Sequence, residues 1–549
     1  MPQKKVSALA GAINAAHLVV GRDEVITDIT NDSRLVRPGS LYAALPGEHV
    51  DGHAFIDDAI LAGARGILCS RPPAQVPDGV AVFQSRRPRF AFSEIADAFF
   101  DRPSDRLEVV GVTGTDGKTT TVYFIHQLLQ AAGTSSAFLS TAAMSIGDAE
   151  YANRLHQSTP EAAVLHATLS DMAAGGNSFA VLESTSHGLS AKTCRLAHVR
   201  YRAAILTNLT HEHLEFHGIY ERYRDEKANL FRALDTGRYG NTAHFQDAVD
   251  SASHHQPELA TPDPAVAAPD VGVREVRSSG ERFGIVNLDS PEAAFFAGVT
   301  NRPVFGYGTG ATRGTVWATD LRPDATGTRL SLGFGNTAVQ ARLSVPGVFN
   351  VENALAAVLA VALLTDHDPI DLAPALIDLR PVRGRMNVVA SAPFSVIVDY
   401  AHTPGSFRRV LPYFREHTRG RLIVVFGSAG ERDRGKRPLQ GRIADQFADV
   451  IILTDEDPRG EPRTEILDQI AAGCPGREIG KDLRKIPDRR EAINAALSLA
   501  QPGDTVLLLG KGHETSILGP DSALAWDEEL AVREELARLG IETRDESGS

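Results

Sequence analysis

Apolar and polar positions along this chain change rhythm near residue 107, where one kind of structure gives way to another. Before that point, short β-like runs fill the first hundred residues and end at RPSDRLEVV, where Pro103 and its charged neighbours have a linker's composition. After it, β-branched runs alternate with helix-length stretches, the signature of a mostly parallel sheet covered by helices. Residues 109–113 (VVGVT), 179–183 (FAVLE) and 203–208 (AAILTN) are buried-strand candidates, each followed by or ending in polar residues. Ligands of such sheets gather at the carboxyl ends of strands, so these endings are expected to share one site. Residues 241–279 are rich in Ala, Pro, Asp and His without usable periodicity, and a flexible insertion or long surface loop is expected there. From Pro381 a second alternation runs through SVIVDY, RLIVVFG, DVIILTDEDP and TVLLLGKGHE to a closing helix at 525–539. The expected organisation is three α/β regions, 1–105, 106–380 and 381–549, the last Rossmann-like.

Composition narrows the class. The content of 43% hydrophobic and 23% charged residues is ordinary for a globular protein. The longest uninterrupted apolar run, 354–364, is shorter than the roughly 20 residues that span a bilayer, so no membrane insertion is expected. The basic N-terminus lacks the apolar block of a secretion signal. Cys69, Cys194 and Cys474 are too far apart in sequence for a disulfide framework or zinc ribbon, and a cytoplasmic location is expected. A net charge of −13 argues against nucleic-acid partners, which need a basic face, but leaves small anionic substrates open.

The densest chemistry begins at GTDGKTT, residues 114–120. Gly114 and Gly117 permit a tight turn whose backbone N–H groups face an anion, Lys118 supplies a point charge for phosphates, and Thr119 a hydroxyl for Mg²⁺. The spacing is shorter than the Walker pattern, whose first glycine would fall at Val112, and ATP binding is expected. Glu183 closes its strand either as a solvated end acid or as a carboxylate reaching a metal at the phosphate loop. Residues 207–218, TNLTHEHLEFHG, interleave His211, His213 and His217 with Glu212 and Glu215. The zincin spacing H-E-x-x-H fails at Glu215, which leaves structural histidines or a Mg²⁺ or substrate role. On the helix after Gly218, Lys227 shares an apolar face with Tyr223, Leu230, Phe231 and Leu234. Such a lysine either snorkels from the edge or is paired, neutral or modified; a neutral amine can add CO₂ to give a carbamate that binds magnesium. Asn350 and Asn353 lie one turn apart on a helix starting after Pro346-Gly347, and either meet a nucleotide or cap the helix. Arg385 opens the last region, where a hinge-borne arginine could reach a γ-phosphate.

Together these pieces resemble the Mur ligases, ATP-dependent amide-forming enzymes of peptidoglycan synthesis, over essentially the whole chain outside 241–279. Within that family the likeness is to the UDP-N-acetylmuramoyl-dipeptide ligases that add the third residue of the stem peptide. The matches are DSR (32–34), GEHVDGH (47–53), GTDGKTT, STPEA (158–162), ESTSHGL (183–189), THEHLEFHG, VDYAHTP (398–404), FGSAGERDRGKRP (426–438), DEDPRGE (455–461) and GKGHE (510–514). The resemblance implies an N-terminal UDP-binding α/β domain, a central ATPase-like domain and a C-terminal Rossmann-like domain. It implies that Ser33, Glu48, His49 and Val50 touch the UDP part of the acceptor, and Ser158, Thr159, Thr185 and Arg195 its muramoyl-dipeptide. ATP falls to Gly114, Thr115, Asp116, Gly117, Lys118, Thr119, Thr120, Asn350 and Asn353. The implied catalytic set is Lys118, Glu183, His213, Lys227 and Arg385, with Mg²⁺ on Thr119, Glu183, His213 and a CO₂-derived carbamate of Lys227. The incoming amino acid falls to Arg432, Glu456, Asp457, Pro458, Arg459, Gly510 and Glu514. Three departures stand out: Asp116 where Asn is commoner, Arg195 two places beyond the expected arginine position, and Glu456-Asp457-Pro458-Arg459 for Asp-Asn-Pro-Arg. The expected enzyme is a monomer joining meso-diaminopimelate, L-lysine or L-ornithine to the D-glutamyl carboxylate. The rivals are a folylpolyglutamate synthase-like ligase and a non-catalytic, nucleotide-gated muramyl-peptide-binding protein.

Overall fold

The computed structural model describes residues 2–541 except 22, 48–49, 148, 154–157, 211–216, 246–279 and 325–326. It forms two compact units, one of 1–319, 332–338 and 352–372, the other of 320–331, 339–351 and 373–549.

The first unit opens with a five-stranded sheet in the order 17–20, 81–84, 66–69, 40–43, 28–30. Its parallel strands carry the Ser33 turn and residues 44–47 beyond their carboxyl ends. The larger sheet places Glu108–Thr113 between Phe179–Glu183 and Ala203–Leu206, all parallel. The chain builds one side of Glu108–Thr113 through Ser136–Leu139 and Phe179–Glu183, then crosses to Ala203–Leu206 and Phe283–Asn287 on the other. That reversal puts the phosphate loop at a topological switch point, where α/β sheets open a crevice. These central strands are buried almost throughout, which is why they read as apolar runs rather than alternations.

Two expectations change. Pro103 and Ser104 are buried in a short 3₁₀ turn, so the segment with a linker's composition is packed. Residues 241–245 likewise belong to the packed body: Phe245 is fully buried, 4.6 Å from the Tyr239 ring, because an aromatic there outweighs its polar surroundings. The rest of the expected insertion lies outside the described residues. The apolar run 354–364 sits inside the longer helix Val348–Thr365, the one described helix apolar enough to cross a membrane; 78% of that stretch is buried inside the protein.

The second unit centres on a six-stranded sheet in the order 387–390, 395–399, 505–509, 422–426, 450–453, 483–485, parallel except at 387–390. SVIVDY, RLIVVFG, DVIIL and TVLLL supply its inner strands as expected. Thr403 and Ser406 form a capping box with Pro404 in the first turn, which starts the helix Pro404–His417 directly after VDYAH.

Candidate active site

The strand Glu108–Thr113 turns at Gly114, and the helix Lys118–Ala131 begins immediately after Gly117. No side chain at Gly114 is tolerable, since a Cβ would lie 2.0 Å from Thr207 Oγ1. Gly117 has φ +81° and packs on Asn353 Oδ1, 2.3 Å from where a Cβ would stand. The helix start has no side-chain cap, so its first N–H groups remain to be met by an anion. Asn208 fixes the loop from the neighbouring strand end: its carbonyl accepts from Thr115 N at 2.8 Å and its Oδ1 from Asp116 N at 2.9 Å.

Both expected lysines reach this loop. Lys118 Nζ donates to Thr115 O and Lys227 Nζ to Gly114 O, each at 2.7 Å. Lys227 is 1% exposed on the helix Tyr220–Thr236, with its Nζ 4.6 Å from the Tyr223 ring centre. It does not snorkel. Glu183, 4% exposed at its strand end, accepts from Thr119 Oγ1, Thr141 N and Thr141 Oγ1, all at 2.9 Å. The solvated-acid alternative for Glu183 is therefore excluded. Hydroxyl and carboxylate oxygens at one point are a donor set that suits a hard divalent cation. His213 and its neighbours 211–216 lie outside the described residues, and among the described residues no three His, Cys, Asp or Glu side chains form a metal cluster.

Ser158, Thr159 and Thr185 gather beside Glu183. Ser158 Oγ lies 2.6 Å from Thr141 Oγ1, and the Thr159 and Thr185 hydroxyls are 3.0 Å apart. Arg195 holds this segment, donating to Thr159 O at 3.0 Å and Glu161 Oε1 at 2.6 Å. Of the asparagines expected to meet a nucleotide, Asn353 meets the loop and Thr121, while Asn350 Nδ2 donates to Pro346 O at 2.6 Å. In the N-terminal sheet, Ser33 starts a 3₁₀ turn capped by Asp32, and Val50 is exposed; Glu48 and His49 lie outside the described residues.

In the second unit Arg459 takes a left-handed backbone, φ +52°, which costs a non-glycine residue energy and fixes its direction. Asp457 is already engaged: its Oδ1 accepts from the fully buried Lys511 Nζ at 2.8 Å and from Leu518 N at 2.9 Å. Glu456 Oε2 and Arg459 Nε, by contrast, are buried with no hydrogen-bond partner among the described residues. Glu456 packs against Gly510, whose φ of +103° opens the GKGHE turn. Glu514 accepts from Lys511 at 2.5 Å and from Tyr400 OH at 3.2 Å, and the Arg385 guanidinium stacks 4.4 Å over the Tyr400 ring. Arg432 is exposed. His513 is pushed down to about 3, first by burial and then by the neighbouring Arg385, His402 and Lys511, so it stays neutral.

Several positioning residues escaped the sequence. Arg437, fully buried, donates to both Glu461 oxygens and to Ala429 O. Arg489, paired with the equally buried Glu528, donates to Asp455 O and Leu509 O and so joins two strand ends. Behind Lys227, Glu226 pairs with His217 at 2.6 Å and accepts from Ser190 Oγ at 2.8 Å. His217 stood out in sequence only as one of a row.

The sequence matches the catalytic domain of the Mur ligase family over 25–99, the Mur ligase middle domain over 112–252 and 274–361, and the Mur ligase glutamate ligase domain over 384–512. It is 42% identical over 521 residues to a UDP-N-acetylmuramyl-tripeptide synthetase of Roseiflexus sp. (strain RS-1), covering 94% of this chain and 95% of that one. The chain belongs to the Mur ligase family. A UDP-N-acetylmuramoyl-L-alanyl-D-glutamate--2,6-diaminopimelate ligase of Geobacillus kaustophilus (strain HTA426) is 36% identical over 95% of this chain and 96% of its own length. A solved structure of a ligase of that same description aligns at TM-score 0.60 and 26% identity over 94% of this chain and 95% of that one. This Mur ligase thus has the three-domain α/β architecture expected of it. The gap in its middle-domain match, 253–273, falls inside the expected insertion.

Proposed function

We propose that this Mur ligase spends ATP to join a diamino acid, meso-diaminopimelate, to the D-glutamyl carboxylate of UDP-N-acetylmuramoyl-L-alanyl-D-glutamate. The ligase chemistry rests on one observation: Lys118 and Lys227, from separate helices, donate to neighbouring carbonyls of a single anion-facing loop. A carboxylate resists amines because its oxygen is a poor leaving group. Phosphoryl transfer from ATP turns that oxygen into part of an acyl phosphate. The incoming amine then adds to the carbonyl, the tetrahedral intermediate collapses, and phosphate leaves.

Lys118 and the helix N-terminus would neutralise charge on the transferring phosphoryl group. Arg385 is assigned a share of that role in the second unit. Thr119 and Glu183 fit Mg²⁺, as would a carbamate on Lys227 with His213; the ion would supply electrostatic stabilisation of phosphate charge. Ser33 and residues 48–50 are assigned to the UDP end of the acceptor, and Ser158, Thr159 and Thr185 to its peptide end. Arg195, held by Thr159 and Glu161, would shape that end from behind. The regions 1–105, 106–380 and 381–549 then serve acceptor, nucleotide and amino acid in turn.

The choice of amino acid follows from which charges remain unmet. Asp457 answers Lys511 and so gives no vote for a distal ammonium. Glu456 Oε2 and Arg459 Nε await partners of opposite sign. The distal end of meso-diaminopimelate carries both an ammonium and a carboxylate, whereas lysine or ornithine would leave Arg459 unanswered. The test is phosphate release with the UDP-dipeptide and each amino acid at equal concentration. Release should require both substrates and favour diaminopimelate, and Arg459→Ala should erase that preference. Equal rates with lysine in the unaltered enzyme would overturn the assignment, and release without any amino acid would overturn the ligase.

A further inference from the structure

At the amino ends of the central strands, the far end from the phosphate loop, a cavity of about 590 Å³ is walled by Arg106, Arg200, Arg202, Arg282 and Arg302. Arg202 and Arg282 immediately precede the strands Ala203–Leu206 and Phe283–Asn287, and Glu108 opens Glu108–Thr113. That last strand rises roughly 20 Å between the cavity and Gly114. Five arginines converging on one hollow stand out in a chain whose net charge is −13.

Three acids, Asp105, Glu108 and Glu281, line the same cavity and do not balance the five arginines. Asp105 is shared between Arg200 at 3.7 Å and Arg238 at 2.7 Å, and Glu108 answers Arg202 at 2.9 Å. The side-chain hydrogen bonds of Arg282 and Arg302 go to carbonyls, Leu234 O at 3.2 Å and Asp235 O at 3.3 Å respectively, at the end of the helix Tyr220–Thr236. Helix capping accounts for holding those two guanidiniums, but it uses only part of each donor fork and neutralises little of the charge. Arg202 Nη1 is buried with no hydrogen-bond partner among the described residues. Burial, then the neighbouring Arg200, Arg302, Arg238 and Arg202, lower the pKa of Arg282, the signature of cations facing one another without sufficient counter-charge.

We propose that this cavity is a second anion site, distinct from the phosphate loop, that takes a compact anion bearing at least two phosphate groups. Guanidinium forks match phosphate oxygens in pairs, and several forks around one hollow favour a multiply charged ligand over a single phosphate. Leu107 and Tyr201, the apolar members of the wall, are buried, so there is no exposed aromatic face for a base and the diphosphate itself carries recognition. The anion is either free pyrophosphate or the diphosphate of a nucleotide. The helix capped by Arg282 and Arg302 also carries Lys227, which gives occupancy a physical route to the catalytic loop.

Calorimetric titration of the full chain with inorganic pyrophosphate tests the site in a Lys118→Ala background, where the phosphate loop is disabled. One residual site should remain, weakened about tenfold or more by Arg202→Gln. The exposed pair Arg106→Gln and Arg200→Gln should weaken it similarly with unchanged circular dichroism. In a parallel arm, ADP binding no tighter than pyrophosphate indicates a site for the free anion. Binding about tenfold tighter indicates a nucleotide, and both results support the site. Absence of residual binding after Lys118→Ala, or residual binding indifferent to every arginine substitution, would overturn it.

Discussion

Lys227 carries the proposed chemistry, because a buried amine of ordinary charge is costly and needs a reason to be there. Its 2.7 Å bond to Gly114 O is compatible with an ammonium, a neutral amine or the N–H of a carbamate, and only the last is an anion able to hold a cation. The three separate on substitution. Lys227→Arg preserves charge and should still lower ligation roughly 100- to 1,000-fold, the cost of losing a preorganised electrostatic group. Added bicarbonate should not restore Lys227→Ala, and enzyme equilibrated with ¹³C-bicarbonate should show a carbamate resonance that this variant lacks. A fully active Lys227→Arg enzyme would remove the carbamate role. Asp457 shows how a residue's identity misleads until its partner is seen. As sequence it is an added anion beside the amino-acid segment; in the fold it is the counter-ion of Lys511.

The elements that frame the glycine turn 114–117 were legible because their signals are local. Apolar runs gave the strands 108–113, 179–183 and 203–206, and Gly, Lys and Thr in order gave the loop and helix between the first two. The clamps Arg437–Glu461 and Arg489–Glu528 join residues 24 and 39 positions apart, and a charged residue that will be buried looks in sequence like one that will not. A cluster between the helices Pro88–Phe99 and Ala162–Ala174 was hidden for the same reason. His166 and His198 are fully buried there and pushed down to about 3, foremost by burial, while burial pushes Asp97 up to about 7. Between about pH 6.5 and 3 the unfolded chain binds protons that the folded histidines refuse, so these histidines make stability fall as the solution is acidified. Asp97 works against them between 3.8 and about 7, where its protonated folded form makes stability fall as pH rises. Two histidines outweigh one acid over most of that range. His198→Asn should therefore make the loss of urea stability below about pH 6 shallower, by up to about 1.4 kcal/mol per pH unit. An unchanged slope would show that this cluster is not what acid disrupts.

Across the chain, the proposed function assigns each unit one half of the amide bond. The first holds the anion-facing loop, both lysines and the Thr119–Glu183 oxygens; the second holds Glu456, Arg459 and the Lys511–Asp457 pair. The sequence shows two alternations of strand and helix separated near residue 381, but residues 320–331 and 339–351, expected in the middle region, belong to the second unit, and the packed turn at Pro103 gave no sequence sign of its burial. On the proposed mechanism, the peptidyl carboxylate is phosphorylated before the amine arrives. Acceptor labelled with ¹⁸O in the D-glutamyl side-chain carboxylate puts this to the test. During ligation with diaminopimelate, one ¹⁸O should appear in the released phosphate for each amide formed. Phosphate free of label while amide accumulates would rule out an acyl phosphate.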